Sequence, residues 1–374
     1  MKLTIPSNAE KILQVLNENG YEAYVVGGCV RDSILDRNPN DWDITTSASP
    51  YQVKELFPRT IDTGLQHGTV TVMMDKEGYE ITTYRVDGDY EDGRHPKEVT
   101  FTSSLEEDLK RRDFTINAMA YHPKEGLVDL FHGMDDMENK IIRCVGDPME
   151  RFHEDALRIM RAVRFSAQLG FEIEEQTKAG ISRLTSNLKN VSAERIQAEL
   201  VKLLVSPHPD YLRTAYETGI TKEFLPEFDL CMETEQNTPY HCFTVGEHIL
   251  HSLLYVEANK VLRLTMLLHD IAKPVMKTTD ENGRDHFKRH AAVGEEMSKK
   301  ILRRLKFDND TIEKVSRLIR YHDDRPEGQM RAVRRAMNRI GEELFPLYLE
   351  VQKADMLAQS EYCRDRSEEH TSEL

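Results

Sequence analysis

Two hydrophobic patterns divide this chain close to residue 147. Before that point, short apolar runs of strand length are separated by turns rich in Gly, Asn and Asp, and they predict strands at residues 23–26, 43–45, 69–74, 79–84 and 141–145. From residue 148 onward, apolar residues recur at helical spacing almost without interruption. The pattern therefore predicts an α+β fold, in which a head with a small mixed sheet precedes an all-helical neck and body.

Local signals refine these elements. Residues 75–78 have the composition of a hairpin turn, and Ser104 with Glu107 three residues later predicts a capped helix start. Residues 86–97 contain Asp-Gly pairs but no periodicity, which predicts a mobile loop. Longer helices are expected at residues 154–169, at 190–204 with Ser192 as the N-cap, and at 262–272.

The composition is typical of an enzyme with about two or three domains, since 374 residues include 39% hydrophobic and 31% charged side chains. No uncharged apolar run approaches the roughly 20 residues of a membrane span, and the N-terminus lacks an apolar signal core. We therefore expect no membrane partner and no export. The five cysteines are scattered and form no C-x-x-C pair, which disfavours a disulfide framework and fits a reducing cytoplasm.

The net charge of −15 opposes indiscriminate binding to nucleic acid, because phosphate contacts dominate such affinity. An RNA site must then be a local basic patch. Such patches occur at residues 110–112, 158–164, 299–306 and 331–339. Each of them equally describes a solvated helix face.

The first candidate site begins at Gly27 and Gly28, which follow an apolar strand and precede the helical pattern of residues 30–35. Glycines allow backbone N–H groups to approach phosphate oxygens. The helix N-terminus adds a partial positive charge, and Arg31 adds a full one. A triphosphate fits this turn, although a glycine pair is also common in turns that bind nothing.

Two carboxylates follow at the start of the next predicted strand. Asp41 and Asp43 stand two residues apart, so both would project from the same face of that strand. Neighbouring carboxylates repel each other without a cation, and Mg²⁺ is held by one or two carboxylates together with substrate phosphates. Glu80 offers a third carboxylate, or it faces water on an edge strand.

Five motifs occur in one order along the chain. They are Gly27-Gly28-Cys29-Val30-Arg31-Asp32 with Asp41-Trp42-Asp43-Ile44, residues 63–70 (TGLQHGTV), residues 111–120 (RRDFTINAMA), Glu154-Asp155-Ala156-Leu157-Arg158, and Ser192-Ala193-Glu194-Arg195-Ile196 with Glu199. Together they resemble the class II tRNA nucleotidyltransferase and bacterial poly(A) polymerase family. The resemblance covers residues 8–205 and implies a polymerase-β-like nucleotidyltransferase head.

The resemblance implies roles for individual residues. Asp41 and Asp43 would bind Mg²⁺ and carry the catalysis, and the nucleotide would be held by Gly28, Arg31, Arg112, Asp155, Arg158, Arg161 and Arg164. Within that set, Asp155 and Arg158 would hydrogen-bond the incoming base and select C or A without a nucleic-acid template, which their acceptors and donors permit. From the residues alone, the later arginines equally describe a salt-bridged helix face, and Arg112 a basic helix C-terminus.

A second constellation lies in the helical region beyond residue 240. The His269-Asp270 pair interrupts the apolar residues 262–272, and burying it requires a partner or a metal. Together with His290 and Asp355, the pair resembles an HD-domain metal site. This site would hold a divalent metal in addition to the Mg²⁺ of the head, and its expected ligands are His248, His269, Asp270 and His322. Attached to this family, such domains hydrolyse phosphomonoesters or 2′,3′-cyclic phosphates. The alternative is a fold retained without hydrolysis, with hydrogen-bonded core histidines.

The motifs predict four parts along the chain. A nucleotidyltransferase head is expected at residues 1–147, a helical neck that binds nucleotide and RNA at 148–206, a helical body with the HD-type domain at 207–365, and a non-native tail at 366–374. The last nine residues back-translate to a common sequencing-library adapter. The alternative is an ordinary polar terminus, since termini are usually charged.

The expected function is template-independent addition of CCA to the 3′ end of tRNA from CTP and ATP, with Mg²⁺ as cofactor. The segment at residues 86–97 resembles the mobile loop associated with the switch from CTP to ATP. The alternatives are a poly(A) polymerase with the same head, an HD phosphohydrolase whose head only senses nucleotides, and an RNA-binding module without catalysis. The intact pair Asp41 and Asp43 disfavours the last two.

Overall fold

The computed structural model describes residues 1–88, 99–238, 243–325 and 330–359. The chain divides into two units, the first formed by residues 1–158 and 172–184 and the second by residues 159–171 and 185–374. The expected tail at 366–374 lies outside the described residues. Within the described ranges, none of the helices combines the length and the apolar character that crossing a bilayer would require.

The first unit alternates helices with strands. Its elements are α1 (Ser7–Glu18), β1 (Ala23–Val26), α2 (Gly28–Ile34), β2 (Ile44–Thr46), α3 (Pro50–Leu56), β3 (Thr60–Gly64), β4 (Thr69–Met74), β5 (Glu77–Thr83), β6 (Arg85–Asp87), β7 (Val99–Phe101), α4 (Leu105–Lys110), β8 (Met119–His122), β9 (Gly126–Asp129), α5 (Gly133–Glu138), β10 (Ile141–Ile142), α6 (Pro148–Glu154), and, beyond the start of α7 (Leu157–Leu169), β11 (Glu172–Ile173) and α8 (Glu175–Leu184). The mixture confirms the predicted α+β class of the head.

The second unit is helical apart from one short hairpin. It contains the remainder of α7 and then α9 (Ala193–Leu204), α10 (Leu212–Glu217), α11 (Ile220–Phe224), α12 (Pro226–Glu233), α13 (Val245–Leu253), α14 (Lys260–Leu268), α15 (Lys273–Met276), β12 (Thr278–Thr279), β13 (Asp285–His286), α16 (His290–Arg304), α17 (Asn309–Tyr321), α18 (Met330–Ile340) and α19 (Phe345–Leu357). Of the expected neck at 148–206, residues 148–158 and 172–184 belong to the first unit and the remainder to the second, and its role as a neck stays a prediction.

A seven-stranded mixed sheet organises the first unit, with the strand order β3-β4-β5-β2-β1-β8-β9. Within it, β2 and β5 run parallel and pair Ile44 with Ile81. Both side chains are buried, at 1% exposure each. The register therefore places Asp43, which directly precedes β2, beside Glu80 of β5.

The predicted strands at residues 23–26 and 69–74 are confirmed as β1 and β4. The prediction at 43–45 is one residue early, since Asp43 precedes β2. The hairpin turn is shorter than residues 75–78, because Asp75 and Lys76 take up positive φ angles of 48° and 70° and connect the strands as a two-residue turn. The strand at 141–145 is reduced to β10, since its later residues form an isolated bridge with residues 113–115 instead.

The predicted loop at residues 86–97 is wrong at its start, because residues 86–87 belong to β6, which pairs with β7. The remainder, from residue 89, lies outside the described residues. The predicted helix start at Ser104 is confirmed, since its hydroxyl accepts a hydrogen bond from the Glu107 N–H at 3.4 Å. The helix that follows ends at residue 110.

The helix predicted at residues 154–169 is interrupted. Asp155 is extended, with φ −139° and ψ 105°, and its carboxylate accepts a hydrogen bond from the Leu157 N–H at 3.0 Å. A side chain that caps the next helix in this way competes with helix continuation. Asp155 therefore does not share a helix face with Arg158. Ser192 does stand at the N-cap position of α9, but its side chain makes no capping hydrogen bond.

The centre of the second unit is α14, which packs against α9, α13, α17 and α19. Its residues from Leu262 to Leu268 are all buried, and the Arg263 guanidinium donates to the Leu204 carbonyl at 3.1 Å. A helix buried on every side lies in the core. The predicted helix at 262–272 is too long, since α14 ends at Leu268 and leaves His269 and Asp270 at its buried C-terminus.

Candidate active site and metal centre

The glycine turn of the head lies directly beneath an arginine. Gly27 has φ 80° and ψ −131°, precedes α2, and donates its N–H to the Met119 carbonyl at 3.1 Å. A Cβ atom at this position would lie 3.2 Å from Arg112 Nη1. The turn therefore needs glycine for its backbone conformation and for the close approach of Arg112.

Arg31 supports this turn from within the protein. Its side chain is buried and donates to Asn117 Oδ1 at 2.6 Å and to Asp32 Oδ1 at 2.8 Å. Asn117 in turn donates to Asp113 Oδ1 at 3.1 Å. The motif at residues 111–120 thus fixes the glycine turn through Arg31, which lies 3.5 Å from the position of a Cβ on Gly28. Contact of Arg31 with a triphosphate stays a prediction.

Asp108 anchors Arg111 and Arg112. It was not among the site residues expected from the sequence. It is fully buried. Its Oδ1 accepts two hydrogen bonds from Arg111 at 2.8 and 3.0 Å, and its Oδ2 accepts from Arg112 Nη2 at 3.3 Å. Burial opposes ionisation of Asp108, but Arg112 and Arg111 outweigh it and hold its pKa below the ordinary value. Arg112 is thereby fixed at one edge, and its buried Nε has no hydrogen-bond partner among the described residues.

The predicted metal ligands Asp41 and Asp43 lie in the segment just before β2. The Asp43 carbonyl accepts a hydrogen bond from the Val26 N–H at 3.0 Å, and its side chain is exposed. Partial desolvation, Glu80 and Asp41 raise the pKa of Asp43, against the opposing effect of Arg112. Glu80 therefore lies close to the aspartate pair, and β5 is an inner strand, not an edge strand.

The three carboxylates do not form a preassembled cage. In the described part of the chain, Asp41, Asp43 and Glu80 are not among the groups whose ligand atoms lie within 4.8 Å of one another. Mg²⁺ does not require such a cage, because it is bound through one or two carboxylates and completes its shell with water and phosphate oxygens. The donor set is oxygen only, as this ion prefers. Asp41 and Asp43 thus fit a magnesium site that is completed by a nucleotide.

The two predicted base-selecting residues differ in how they are held. Arg158 donates to Glu154 Oε2 at 2.6 Å and to the Arg111 carbonyl at 3.0 Å, which ties it to the same segment that carries Arg112. Asp155 caps the following helix. The structure therefore brings Arg158 next to the arginine segment and gives Asp155 a local structural role, and neither contact tests base recognition.

The remaining predicted arginines belong to the second unit. Arg164 donates to Glu199 Oε2 at 2.8 Å, with side-chain exposures of 8% and 6%, and stacks 3.6 Å from the Phe165 ring centroid. The Arg161 guanidinium lies 5.2 Å from the same centroid. The ion pair of Arg164 and Glu199 joins α7 to α9, and a nucleotide contact of Arg161 or Arg164 stays a prediction.

Four histidines and two aspartates converge in the core of the second unit. Their ligand atoms form two groups, each within 4.8 Å, which we name the inner group (His248, His269, Asp270 and Asp355) and the outer group (Asp270, His290 and His322). The ligand set expected from the sequence grouped His322 with His248, His269 and Asp270. In the structure, His322 Nε2 lies 3.2 Å from His290 Nε2, and Asp355 Oδ1 lies 2.9 Å from His248 Nε2.

Backbone carbonyls fix the orientation of all four imidazoles. Each Nδ1 lies within hydrogen-bond distance of a carbonyl, at 3.2 Å for His248, 2.7 Å for His269, 2.9 Å for His290 and 2.7 Å for His322. A carbonyl only accepts, so each Nδ1 carries a proton and each Nε2 of a neutral ring presents a lone pair to the cluster. Such hydrogen bonds behind the ligands are typical of metal-binding histidines.

The charge of the cluster also fits a cation. Burial opposes ionisation of Asp270, but Lys273 and His269 hold its pKa well below the ordinary value. Burial lowers the pKa of His269, but Asp270 and Asp355 outweigh it and raise that pKa to about 10. The buried Asp270 Oδ2 accepts no hydrogen bond among the described residues, although Lys273 Nζ lies 2.7 Å away. The cluster therefore holds positive charge at neutral pH, from a proton or from a metal ion.

A cavity of about 340 Å³ borders the cluster and is lined by Asp270, Lys273, Lys288, Arg289, His290 and His322, among others. The sequence analysis did not name Lys273, although it follows Asp270 by three residues and belongs to the same turn. Its Nζ also donates to Gln236 Oε1 at 3.0 Å. The cavity wall carries cationic and acidic side chains together, since Asp285, Asp323 and Asp355 also line it.

Family models match three successive stretches of the chain. Residues 23–143 match the poly A polymerase head domain, residues 170–232 match the "probable RNA and SrmB- binding site of polymerase A", and residues 239–365 match the HD domain. The head match includes the glycine turn and the aspartate pair. The HD match includes both the inner and the outer group.

Curated relatives resemble the first part of the chain. The CCA-adding enzyme of Lactobacillus helveticus is 53% identical over 220 residues, which are 59% of this chain and 55% of the relative. The CCA-adding enzyme of Enterococcus faecalis is 52% identical over 209 residues, which are 55% of this chain and 52% of the relative. The chain thus spans about half the length of the curated relatives it matches.

Solved structures extend the similarity to nearly the whole chain. The Bacillus stearothermophilus CCA-adding enzyme in complex with CTP is 31% identical, with a TM-score of 0.74 over 98% of this chain and 82% of that one. The Thermotoga maritima CCA-adding enzyme complexed with tRNA shares the fold at 20% identity, with a TM-score of 0.61 over 98% and 83% of the two chains. Together with the head, RNA-binding and HD matches, these similarities show that the chain belongs to the CCA-adding enzyme family.

Proposed function

We propose that this chain adds CCA to the 3′ end of tRNA from CTP and ATP and releases pyrophosphate, in the cytoplasm, where both substrates occur. One observation carries the proposal. Arg112 lies over the glycine turn, is anchored by Asp108, and retains a buried Nε donor that has no partner within the described part of the chain, close to the exposed carboxylate of Asp43. This combination suits a triphosphate with its metal ion. The 31% identical relative, whose structure contains CTP, supports the same assignment.

The residues of the head divide the work of nucleotidyl transfer. Asp41 and Asp43 would hold Mg²⁺, which when bound lowers the pKa of the attacking 3′-hydroxyl and neutralises the leaving pyrophosphate. Arg112 would donate to the phosphate oxygens. The 3′-oxygen forms a bond to the α-phosphorus as the bond to pyrophosphate breaks, and the hydroxyl proton leaves to water. Because the pKa of Asp43 is raised, metal binding should strengthen as pH rises through that pKa.

Selection of the base would depend on Asp155 and Arg158. Glu154 and the Arg111 carbonyl hold the Arg158 guanidinium at two of its nitrogens, so little rotamer entropy would be lost on binding a base. A fixed donor group beside a carboxylate can distinguish C and A from U and G by their exocyclic and ring atoms. We therefore propose that selection requires no nucleic-acid template.

The test uses a tRNA that lacks its 3′ CCA, with each nucleoside triphosphate offered singly and in combination. We expect two C residues from CTP alone and completion with A when ATP is added. The variants Asp41→Ala and Asp43→Ala should lose transfer, and Asp62→Ala, an exposed carboxylate on β3, should keep it. Long A tails would instead identify a poly(A) polymerase, and unchanged transfer by both aspartate variants would refute the assignment of Asp41 and Asp43 as magnesium ligands.

A second activity is proposed for the second unit, because four imidazoles and two carboxylates present their free ligand atoms to one buried cluster. These residues fit a divalent metal, and a metal beside an open cavity suits hydrolysis of a phosphoester. Hydrolysis of a 2′,3′-cyclic nucleotide and of a phosphomonoester should be lost in Asp270→Asn, with CCA addition retained. A wild-type chain that hydrolyses neither compound with any divalent metal would show that the cluster is structural.

A further inference from the structure

A buried hydroxyl joins the strand that follows Asp43 to the segment that carries Arg112. Thr45 lies in the middle of β2, two residues after Asp43, and is fully buried. Its Oγ1 donates to Asp108 Oδ2 at 2.9 Å. The same carboxylate oxygen accepts a hydrogen bond from Arg112 Nη2 at 3.3 Å. One oxygen atom of Asp108 therefore connects β2 to Arg112.

The hydrogen bonds of Asp108 show which partner fixes this oxygen. Its other oxygen, Oδ1, is held by two hydrogen bonds from Arg111, so the direction of Oδ2 depends on Thr45 and Arg112. The bond from Thr45 is the shorter of the two. The Thr45 hydroxyl has only one proton, and its alternative acceptor, the Thr82 carbonyl, lies farther away at 3.3 Å. Because the carboxylate is both nearer and charged, it takes the proton.

The hydrogen bond between Thr45 and Asp108 lies inside a packed layer. Leu109, which follows Asp108, belongs to a core cluster with Tyr24 and Val26 of β1. Tyr24 is also the cross-strand neighbour of Thr45 in the pairing of β1 with β2. Neither Thr45 nor Asp108 has exposed surface, so bulk water does not compete for their hydrogen bond.

We propose that Thr45 is a positioning residue for nucleotidyl transfer: through Asp108 Oδ2, its hydroxyl sets where the Arg112 guanidinium lies relative to the carboxylate of Asp43. This inference rests on the proposed transfer reaction, in which Arg112 takes the phosphates and Asp43 the metal ion. Without the hydroxyl, Oδ2 would keep only its longer bond to Arg112 among the described residues. The carboxylate and the guanidinium could then shift together away from the glycine turn.

The test replaces the hydroxyl by a methyl group in Thr45→Val. A misplacement of about 1 Å costs about 100-fold in rate, so for a smaller shift we expect about a 10-fold loss of kcat/KM for CTP. The KM for tRNA should stay unchanged. Isothermal titration calorimetry without a divalent metal should show weaker binding of CTP, because the contact of Arg112 with phosphate does not require the metal. Thr45→Ser restores the hydroxyl and should recover the wild-type values.

Thr46→Val is the matched control. Thr46 is the next residue of β2 and is equally buried, but its hydroxyl donates to the Glu22 carbonyl at 2.6 Å. This variant should lose stability and keep its kcat/KM for CTP. A loss of kcat/KM equal to that of Thr45→Val would overturn the proposal, because it would show a general effect of disturbing β2.

A double-mutant cycle tests whether Thr45 acts through Arg112. In the background of Arg112→Gln, measured under single-turnover conditions, Thr45→Val should cause no further loss of transfer. The same loss in both backgrounds, or full activity of Thr45→Val alone, would overturn the proposal. If thermal melts show that Thr45→Val is unfolded, Thr45→Ala gives the same test. A wild-type chain that does not extend tRNA would refute the proposed function, whereas wild-type extension with an unaffected Thr45→Val would refute only the role of Thr45.

Discussion

Replacement of Gly27 by alanine should weaken nucleotide binding more than it weakens the fold. The new Cβ would lie 3.2 Å from Arg112 Nη1 and 3.7 Å from the Asn117 carbonyl oxygen. The distance to the carbonyl is an ordinary van der Waals contact, whereas the contact with Arg112 is too close, so the arginine must shift by a few tenths of an ångström. Because Asp108 holds the far edge of Arg112, the guanidinium would turn away from the glycine turn, where we place the phosphates.

The effects on stability and on nucleotide binding can both be estimated from the structure. A side chain in a sparsely populated backbone conformation costs about 1–3 kcal/mol, and Gly27 has φ 80° and ψ −131°. For a unit of this size, that corresponds to a loss in melting temperature of about 2–4 °C per kcal/mol. A hydrogen bond to a charged group contributes about 1.5–3 kcal/mol, so losing one phosphate contact of Arg112 should weaken CTP binding about 10- to 100-fold.

Gly20→Ala is the matched control. Gly20 also has a positive φ, of 84°, but no atom lies within 4 Å of its added Cβ. It should therefore lose about 1–2 kcal/mol of stability and keep its affinity for CTP. Thermal unfolding measures the first quantity and isothermal titration calorimetry with CTP and Mg²⁺ measures the second. Equal CTP affinities in the two variants would refute the placement of Arg112 at the phosphates.

Two further predictions concern buried or crowded charges. Without metal, the raised pKa of Asp43 means that the folded state keeps a proton that the unfolded state releases. The stability of the wild-type chain should therefore fall as pH rises from the ordinary aspartate pKa through the raised one. Thermal melts of Asp43→Asn should lack this fall, and parallel profiles of stability against pH for the two chains would contradict the assignment. Glu199→Leu should cost about 3–5 kcal/mol, because it removes the carboxylate that balances the charge of the buried Arg164 guanidinium. Adding Arg164→Met should recover most of that loss in urea denaturation, and equal costs for the single and double variants would argue against a coupled pair.

Periodicity located the elements whose pattern depends only on near neighbours. The strands β1 and β4 matched because their apolar positions are bounded by turn residues. The aspartate pair, the arginine segment and the His269-Asp270 pair were found because unusual residue types interrupt such patterns. Their local order along the chain was sufficient to identify them as candidates.

The sequence-based predictions failed where a side chain competes with the backbone for hydrogen bonds, or where residues distant in sequence determine the arrangement. Asp155 ends a helix pattern that the apolar spacing continues, because its carboxylate takes the Leu157 N–H. Asp108 shows its importance only through Arg111 and Arg112, although its spacing of three and four residues before them was a usable signal. The division of the histidines depends on which oxygen of Asp270 each one faces, and no sequence spacing encodes that.

The dependence of two arginines on one carboxylate constrains how this chain can change. Asp108 is fully buried and carries Arg111 on one oxygen and Arg112 on the other. Loss of the carboxylate would remove the ion pair of Arg112 and leave Arg111 only its more distant pairing with Asp87. Loss of either arginine would leave a buried anion only half compensated. Substitutions at Asp108, Arg111 and Arg112 should therefore be tolerated only in combination. In a deep mutational scan, they should behave as one strongly epistatic unit, in which no single substitution is neutral.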